Sequence, residues 1–203
     1  MEQISPAGSA RDALLRAANE ELIEKGHAAV SLRAVARRAG VSHAAPAHFF
    51  GDRAGMLTAV ATEGFAALSR ALEDAARHAT DSGRPVLEAL GRGYVDFGLE
   101  HPALMELMFR RSELNPDDAG LIEAQRSALG CIRAAVADLA GADADPDAEE
   151  WSLVSWAVVH GLVSLVHEGV LARVSENDPD AAADLARRLV AVYGEGLASI
   201  ARR

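Results

Sequence analysis

Between Ser31 and Arg53 the chain concentrates side chains that donate hydrogen bonds and few that could make or break a covalent bond. Four arginines (Arg33, Arg37, Arg38, Arg53), two serines (Ser31, Ser42) and two histidines (His43, His48) share this stretch with one acid, Asp52. Guanidinium and hydroxyl groups are common partners of phosphate oxygens, and polar side chains on a helix can reach base edges. On charge alone the same arginines read equally well as solvated surface, and the histidines as ordinary exposed imidazoles. No serine stands in a Gly-x-Ser-x-Gly setting, and neither a phosphate loop nor a dinucleotide fingerprint is present. Glu149 and Glu150 read as acids complementing a helix N-terminus. His160 and His167 lie seven apart with no carboxylate or cysteine at ligand spacing. No catalytic residue, metal site or cofactor is expected.

The elements that would hold these donors are helical. Leu14, Leu15, Ala18, Leu22 and Ile23 recur at helical spacing, with Ser9 as a capping start and Gly26 as a stop. Ser31 is placed to cap a short second helix whose Val35 and Ala36 face inward, and Gly40 ends it. Ser42 is expected to cap a third helix over roughly His43 to Phe49, with Pro46 one turn in. Two short helices joined by Ala39, Gly40, Val41 and Ser42 meet the needs of a helix-turn-helix: a small residue at the crossing, a glycine in the turn and an apolar residue after it.

Beyond Asp52 the pattern gives long helices: one toward Thr80, a turn over Asp81 to Pro85, then about Pro85 to Glu100. A short one over Ala103 to Arg111, a turn at Asn115 to Asp118, and one over Ala119 to Ala140 follow. After an acidic loop from Gly141 to Asp147, two long helices close the chain, Ala148 to about Val174 and about Asp180 to Arg203. Gly161, Gly169, Gly194 and Gly196 interrupt these last two, where a close helix neighbour would make glycine tolerable.

The net charge of −10 argues against nucleic acid until its distribution is read. Residues 1–53 hold seven basic and six acidic side chains, and the remainder 13 and 24. Since salt screens charges beyond ~8–10 Å, the contact face matters more than the total. The single cysteine, Cys131, excludes an intramolecular disulfide. No apolar run reaches the ~18 residues of a membrane span, and residues 1–11 lack a signal-peptide pattern, so a cytoplasmic protein without membrane partners is expected.

Taken in order, Gly26, Ser31, Val35, Ala36, Ala39, Gly40, Val41, Ser42 and Phe50, with Arg53 in place of a lysine, resemble the DNA-binding region of the TetR family of regulators over about residues 10–60. Trp156, His160 and Gly161 form a Trp-x-x-x-His-Gly pattern, and His101, Pro102, Ala103, Leu104, Met108 and Phe109 match a segment that accompanies it in a subset of that family. The recognition helix departs from the family pattern: Ala44, Ala45, Pro46 and Ala47 stand where Gly-Thr/Ala-Leu-Tyr is usual.

The resemblance implies an all-α, TetR-like fold with a three-helix DNA-binding domain over residues 1–53 and a helical ligand-binding and dimerisation domain over 54–203. It implies a homodimer through the last two helices on double-stranded DNA with a palindromic operator, the recognition helices about 34–36 Å apart. The function implied is a transcriptional repressor released by a small apolar effector, which would tilt the fourth helix through the Phe109 segment. The alternative is a helical ligand-binding protein with weak or lost DNA binding. Ser31, Arg33, Ser42, His43, Ala44, Ala47, His48 and Arg53 are the candidate DNA-binding residues. Phe65, Tyr94, Phe97, Met105, Met108, Phe109, Trp151, Trp156 and His160 are the candidate effector-binding residues, with plain core packing as the other reading and a buried, hydrogen-bonded ring as the other reading of His160.

Overall fold

The structure, a computed structural model, describes residues 6–82, 85–140 and 148–201. Among these residues the chain forms α1 (Pro6–Lys25), α2 (Leu32–Ala39), α3 (Ala45–Phe50), α4 (Arg53–Ser82), α5 (Val86–Glu100), α6 (Pro102–Met108), α7 (Ala119–Ala140), α8 (Ala148–His167), α9 (Val170–Val174) and α10 (Pro179–Ala201). Short 3-10 turns cover His27–Ala29 and Arg111–Glu113, and no strand occurs among the described residues. Packing divides the chain into two compact units. Met1–Phe65 joins Ala103–Gln125 in the first, and Ala66–Pro102 joins Arg126–Arg203 in the second. The sequence suggested a boundary at residue 53; packing groups the first turns of α4 and the 103–125 segment with the N-terminal helices.

In the first unit α1 buries Leu14, Ala18 and Leu22 completely. Ser9 lies a turn inside α1 rather than at its cap, because the helix already includes Pro6, a residue suited to a first turn. Gly26 leaves α1 with φ 74, a value that suits glycine. The Ser31 hydroxyl accepts from the Ala34 N–H at 3.3 Å, as its position predicts. At the other end of α2, Gly40 takes φ 68 and the Val41 N–H reaches back to the Ala36 carbonyl at 3.1 Å, a Schellman closure.

The third helix differs from the expectation. It starts at Ala45, and Ser42 makes no cap; the Ala45 N–H closes a turn on the Ser42 carbonyl at 3.0 Å. A helix beginning at His43 would need an N–H from residue 46 to bond back to Ser42, and Pro46 has none. Starting at Ala45 puts Pro46 among the first amides, which lack helical partners in any case. Around the start of α4, the Thr58 hydroxyl donates to the Ala54 carbonyl at 2.7 Å and accepts from the Asn115 N–H at 2.8 Å. A Cβ at Gly64 would stand 2.7 Å from Met108 Sδ, so α4 and α6 meet across a glycine.

The second unit is built round α5, which packs on α8 and α10. A Cβ on Gly91 would come within 2.5 Å of Val190 Cγ1, and one on Gly98 within 2.7 Å of Val163 Cγ1. These two glycines, seven residues apart, let α5 approach both neighbours closely. The penultimate helix stops at His167, short of the expected Val174, because Gly169 adopts a left-handed φ of 70 before α9 resumes. Asp81 and Ser82 continue α4 where a turn was expected, and Asp118 caps α7 through its bond from the Leu121 N–H at 2.9 Å. The expected Gly141–Asp147 loop lies outside the described residues.

Gly98→Ala is expected to lower stability, since overpacking of about 1–3 kcal/mol exceeds the ~1 kcal/mol that alanine adds to a helix. Gly130→Ala, on α7 with nothing within 4 Å of the new methyl, is expected to raise it. Denaturant midpoints of the two variants check the opposite signs.

Candidate nucleic-acid interface

An ion cluster fixes how α2 lies on α1. Glu21 is only 2% exposed and accepts from Lys25 Nζ at 2.6 Å and from Arg38 Nε at 2.7 Å. The same guanidinium binds Glu24 with both terminal nitrogens and reaches Glu20 at 3.4 Å. Hydrogen bonds from Lys25 and Arg38 hold the Glu21 carboxyl below its ordinary range, and Arg38 does the same for Glu24. Arg38 therefore fastens α2 to α1 and does not point to a partner.

The opposite side of this head is open. Ser31, Arg33 and Arg37 of α2, Ser42, His43 and Ala44 of the turn, and Ala47 and His48 of α3 are all exposed. Among the described residues no carboxylate pairs with Arg33 or Arg37. Pro46 is the buried residue of α3, so the helix is held through its proline while His48 stays outside and meets Phe49 edge to face at 5.2 Å. Arg11, exposed on α1, lies 5.5 Å from the centroid of the Phe50 ring. Nothing in the sequence singled out Arg11; it gains its place only because α3 ends beside it.

Arg53 is placed differently from the other candidates. Its Nε donates to the Val30 carbonyl at 2.9 Å, Nη2 to the His27 carbonyl at 2.7 Å, and Nη1 to Glu113. That bond from Arg53 holds the Glu113 carboxyl below its ordinary range. His27 Nε2 stands 3.5 Å from Glu106 and its Nδ1 3.7 Å from Glu113, with Nδ1 buried and making no hydrogen bond. Arg110 also binds Glu106. Glu113 is 60 residues from Arg53 in sequence, and no local pattern announces that they meet.

Two family models match the chain: bacterial regulatory proteins of the tetR family over residues 14–60, and the tetracyclin repressor-like C-terminal domain over residues 87–193. The chain belongs to the TetR family. Among solved structures, a protein of unknown function from Rhodococcus sp. RHA1 is 34% identical with a TM-score of 0.78, over 97% of this chain and 100% of that one. A TetR-family transcriptional regulator from Pectobacterium atrosepticum is 20% identical with a TM-score of 0.71, over 97% of each chain. A TetR-family transcriptional regulator from Streptomyces coelicolor is 23% identical with a TM-score of 0.60, over 91% of this chain and 96% of that one. The last two likenesses speak for the fold. No curated protein matches the chain. With the helix-turn-helix in place, this TetR-family protein is a DNA-binding transcriptional regulator. Among the described residues no helix is long and apolar enough to cross a membrane.

The nine expected effector residues divide between the units of this TetR-family chain. Phe65, Met105, Met108 and Phe109 belong to the first, where Phe65 and Phe109 meet edge to face at 5.5 Å. Tyr94, Phe97, Trp151, Trp156 and His160 belong to the second. There the Trp156 indole N–H donates to the Tyr94 oxygen at 3.1 Å, and the Tyr94 hydroxyl lies 3.1 Å from His160 Nδ1. The Tyr94 oxygen accepts from Trp156, and its hydroxyl proton is free to go to Nδ1 in the tautomer of His160 that carries its proton on Nε2. Burial raises the Tyr94 pKa and lowers that of His160, with His167 adding to the latter. A cavity of ≈20 Å³ borders Tyr94, Ser155 and Tyr193, room for about one water. A wider groove of ≈410 Å³ runs past Leu87, Ala135, Leu139 and Ala198 in the same unit. Of the nine candidates only Tyr94 lines either space.

The carboxyls of Glu21 and Glu113 sit below the ordinary 4.5 in the folded chain. Their contribution to stability is therefore complete above that value and is lost as pH falls through the lower folded-state values. Circular dichroism on acidification is expected to show this loss. Glu21→Gln should be less stable near neutrality and less sensitive to acid; undiminished acid sensitivity in that variant would show that Glu21 contributes none of it.

Proposed function

We propose that this regulator is a homodimeric repressor that binds a palindromic operator and leaves it when a small apolar effector binds. The observation that carries the reading is the exposed face of α2, the turn and α3, whose Arg33 and Arg37 have no acid partner among the described residues, on a chain that is otherwise acidic. On this reading Ser31, Arg33 and Arg53 hold phosphates. Ser42, His43, Ala44, Ala47 and His48 face the base edges, and the Ala47 methyl suits a thymine methyl. The six-residue α3 favours a second reading, in which DNA affinity is weak and ligand binding is the main activity.

Support for the dimer comes from α8 and α10. Leu153, Val154, Val192 and Ile200 are 48%, 44%, 65% and 55% exposed. On the same helices, methyl groups added at Gly161 or Gly196 would meet nothing within 4 Å. Apolar side chains beside open glycines suit a close helical neighbour, which a second copy would supply. Support for an apolar effector is the groove of ≈410 Å³ in the second unit, bordered by Leu87, Ala135, Leu139 and Ala198.

Sedimentation is expected to give a dimer for the native chain and a monomer for Val192→Glu, with footprinting on the DNA upstream of its own gene lost in the variant. A monomeric native chain overturns the dimer. Titration of duplex binding against salt is expected to lose a slope of about 0.9 with Arg33→Gln or Arg37→Gln. Arg38→Gln should instead lower stability and leave the slope unchanged. Slopes that ignore Arg33 and Arg37 would move the DNA face elsewhere.

A further inference from the structure

We propose that Glu113 sets the DNA affinity of this regulator by occupying Arg53 as an internal stand-in for a backbone phosphate. The inference rests on the DNA-binding face described above and adds a residue outside it. Arg53 is the first residue of α4 and directly follows the helix-turn-helix. Two of its nitrogens are committed to the carbonyls of His27 and Val30, which aims the remaining edge of the guanidinium. Glu113 holds that edge through Nη1. A carboxylate oxygen and a phosphodiester oxygen can each accept from the one nitrogen left, so one group takes the place of the other. The pair is accessible: the Arg53 side chain is 36% exposed and that of Glu113 26%.

The surroundings make the exchange feasible. A second nitrogen stands beside Glu113 when it leaves Arg53, since His27 Nδ1 is 3.7 Å from the carboxylate and has no hydrogen bond of its own. The charged and titratable groups around this point are Arg53, His27, Glu106, Glu113 and Arg110, and all belong to the first unit. Arg38, by contrast, is held by three carboxylates on one helix and is closed to exchange. Glu113 lies within the span matched by the C-terminal family model and 60 residues from Arg53, yet both residues belong to the first unit.

The test is a double-mutant cycle on the full chain with a labelled 30-base-pair duplex of arbitrary sequence, since phosphate contacts are sequence-independent, at about 50 mM salt. Glu113→Gln is expected to tighten binding about two- to five-fold, the worth of a half-exposed ion pair. Arg53→Gln is expected to weaken binding and reduce the salt slope by about 0.9. In the Arg53→Gln background, Glu113→Gln should change affinity no more than Glu106→Gln, a control for general charge. Thermal unfolding verifies each fold, and Arg53→Met, which also removes the charge, replaces Arg53→Gln if the latter unfolds. Equal effects of Glu113→Gln in both backgrounds, or a slope indifferent to Arg53, overturn the proposal. If Arg33→Gln and Arg37→Gln still flatten the slope in that case, the DNA-binding face stands without it. A native chain that binds no duplex overturns both.

Discussion

The Glu21 carboxylate lies on the face of α1 that also carries Leu14, Ala18 and Leu22, where water cannot reach it. An ionised acid in such a place is tolerated only with cations and hydrogen bonds to match. Lys25 comes from the next turn of the same helix, but Arg38 comes from the end of α2, so satisfying Glu21 also fixes α2 on α1. Glu20 and Glu24 close round the same guanidinium. Gly40 and Val41 then end α2 with a single defined backbone, and α3 leaves from that point. The direction of the recognition helix follows from one buried charge and one left-handed glycine.

In the second unit the corresponding constraint is steric. Gly91 and Gly98 let Val190 and Val163 sit where methyl groups would otherwise be, and α5 fills the space between α8 and α10. The cost is backbone entropy at two mid-helix glycines. The return is a dense interior whose cavity beside Tyr94 has room for about one water. The Trp156–Tyr94–His160 chain and the Ser155–Tyr193 hydroxyl pair are polar elements placed in that apolar setting.

What could be read from the sequence was whatever depends on neighbours within a turn or two. Ser31 and Gly40 announce a helix start and stop, and both act so in the structure. The all-helical class and most helix limits follow from periodicity for the same reason. Ser42 looked like a cap, yet Pro46 four residues later removed the amide that such a helix needed. Gly169 was visible, but whether a glycine is spanned or breaks a helix depends on packing. Arg53 had the right type and position for a phosphate contact; the partner it has here is 60 residues away and leaves no local trace. The aromatic set divides between the two units for a related reason: residue type marks burial, and only the fold decides which buried residues share a unit.

Counting charges in the head gives nearly equal numbers of each sign, and the count misleads because the charges differ in availability. Lys25 and Arg38 are spent on Glu20, Glu21 and Glu24, two cations against three acids, so that cluster keeps one net negative charge. Arg53 and Glu113 neutralise each other. What is left near the turn and α3 is Arg11, Arg33 and Arg37, without carboxylate partners among the described residues, together with His43, His48 and the exposed acid Asp52. The acids of α1 thus fix α2 through Arg38 and do not pair with Arg33 or Arg37. Internal pairing, rather than an excess of basic residues, decides which cations of an acidic chain stay available to a polyanion.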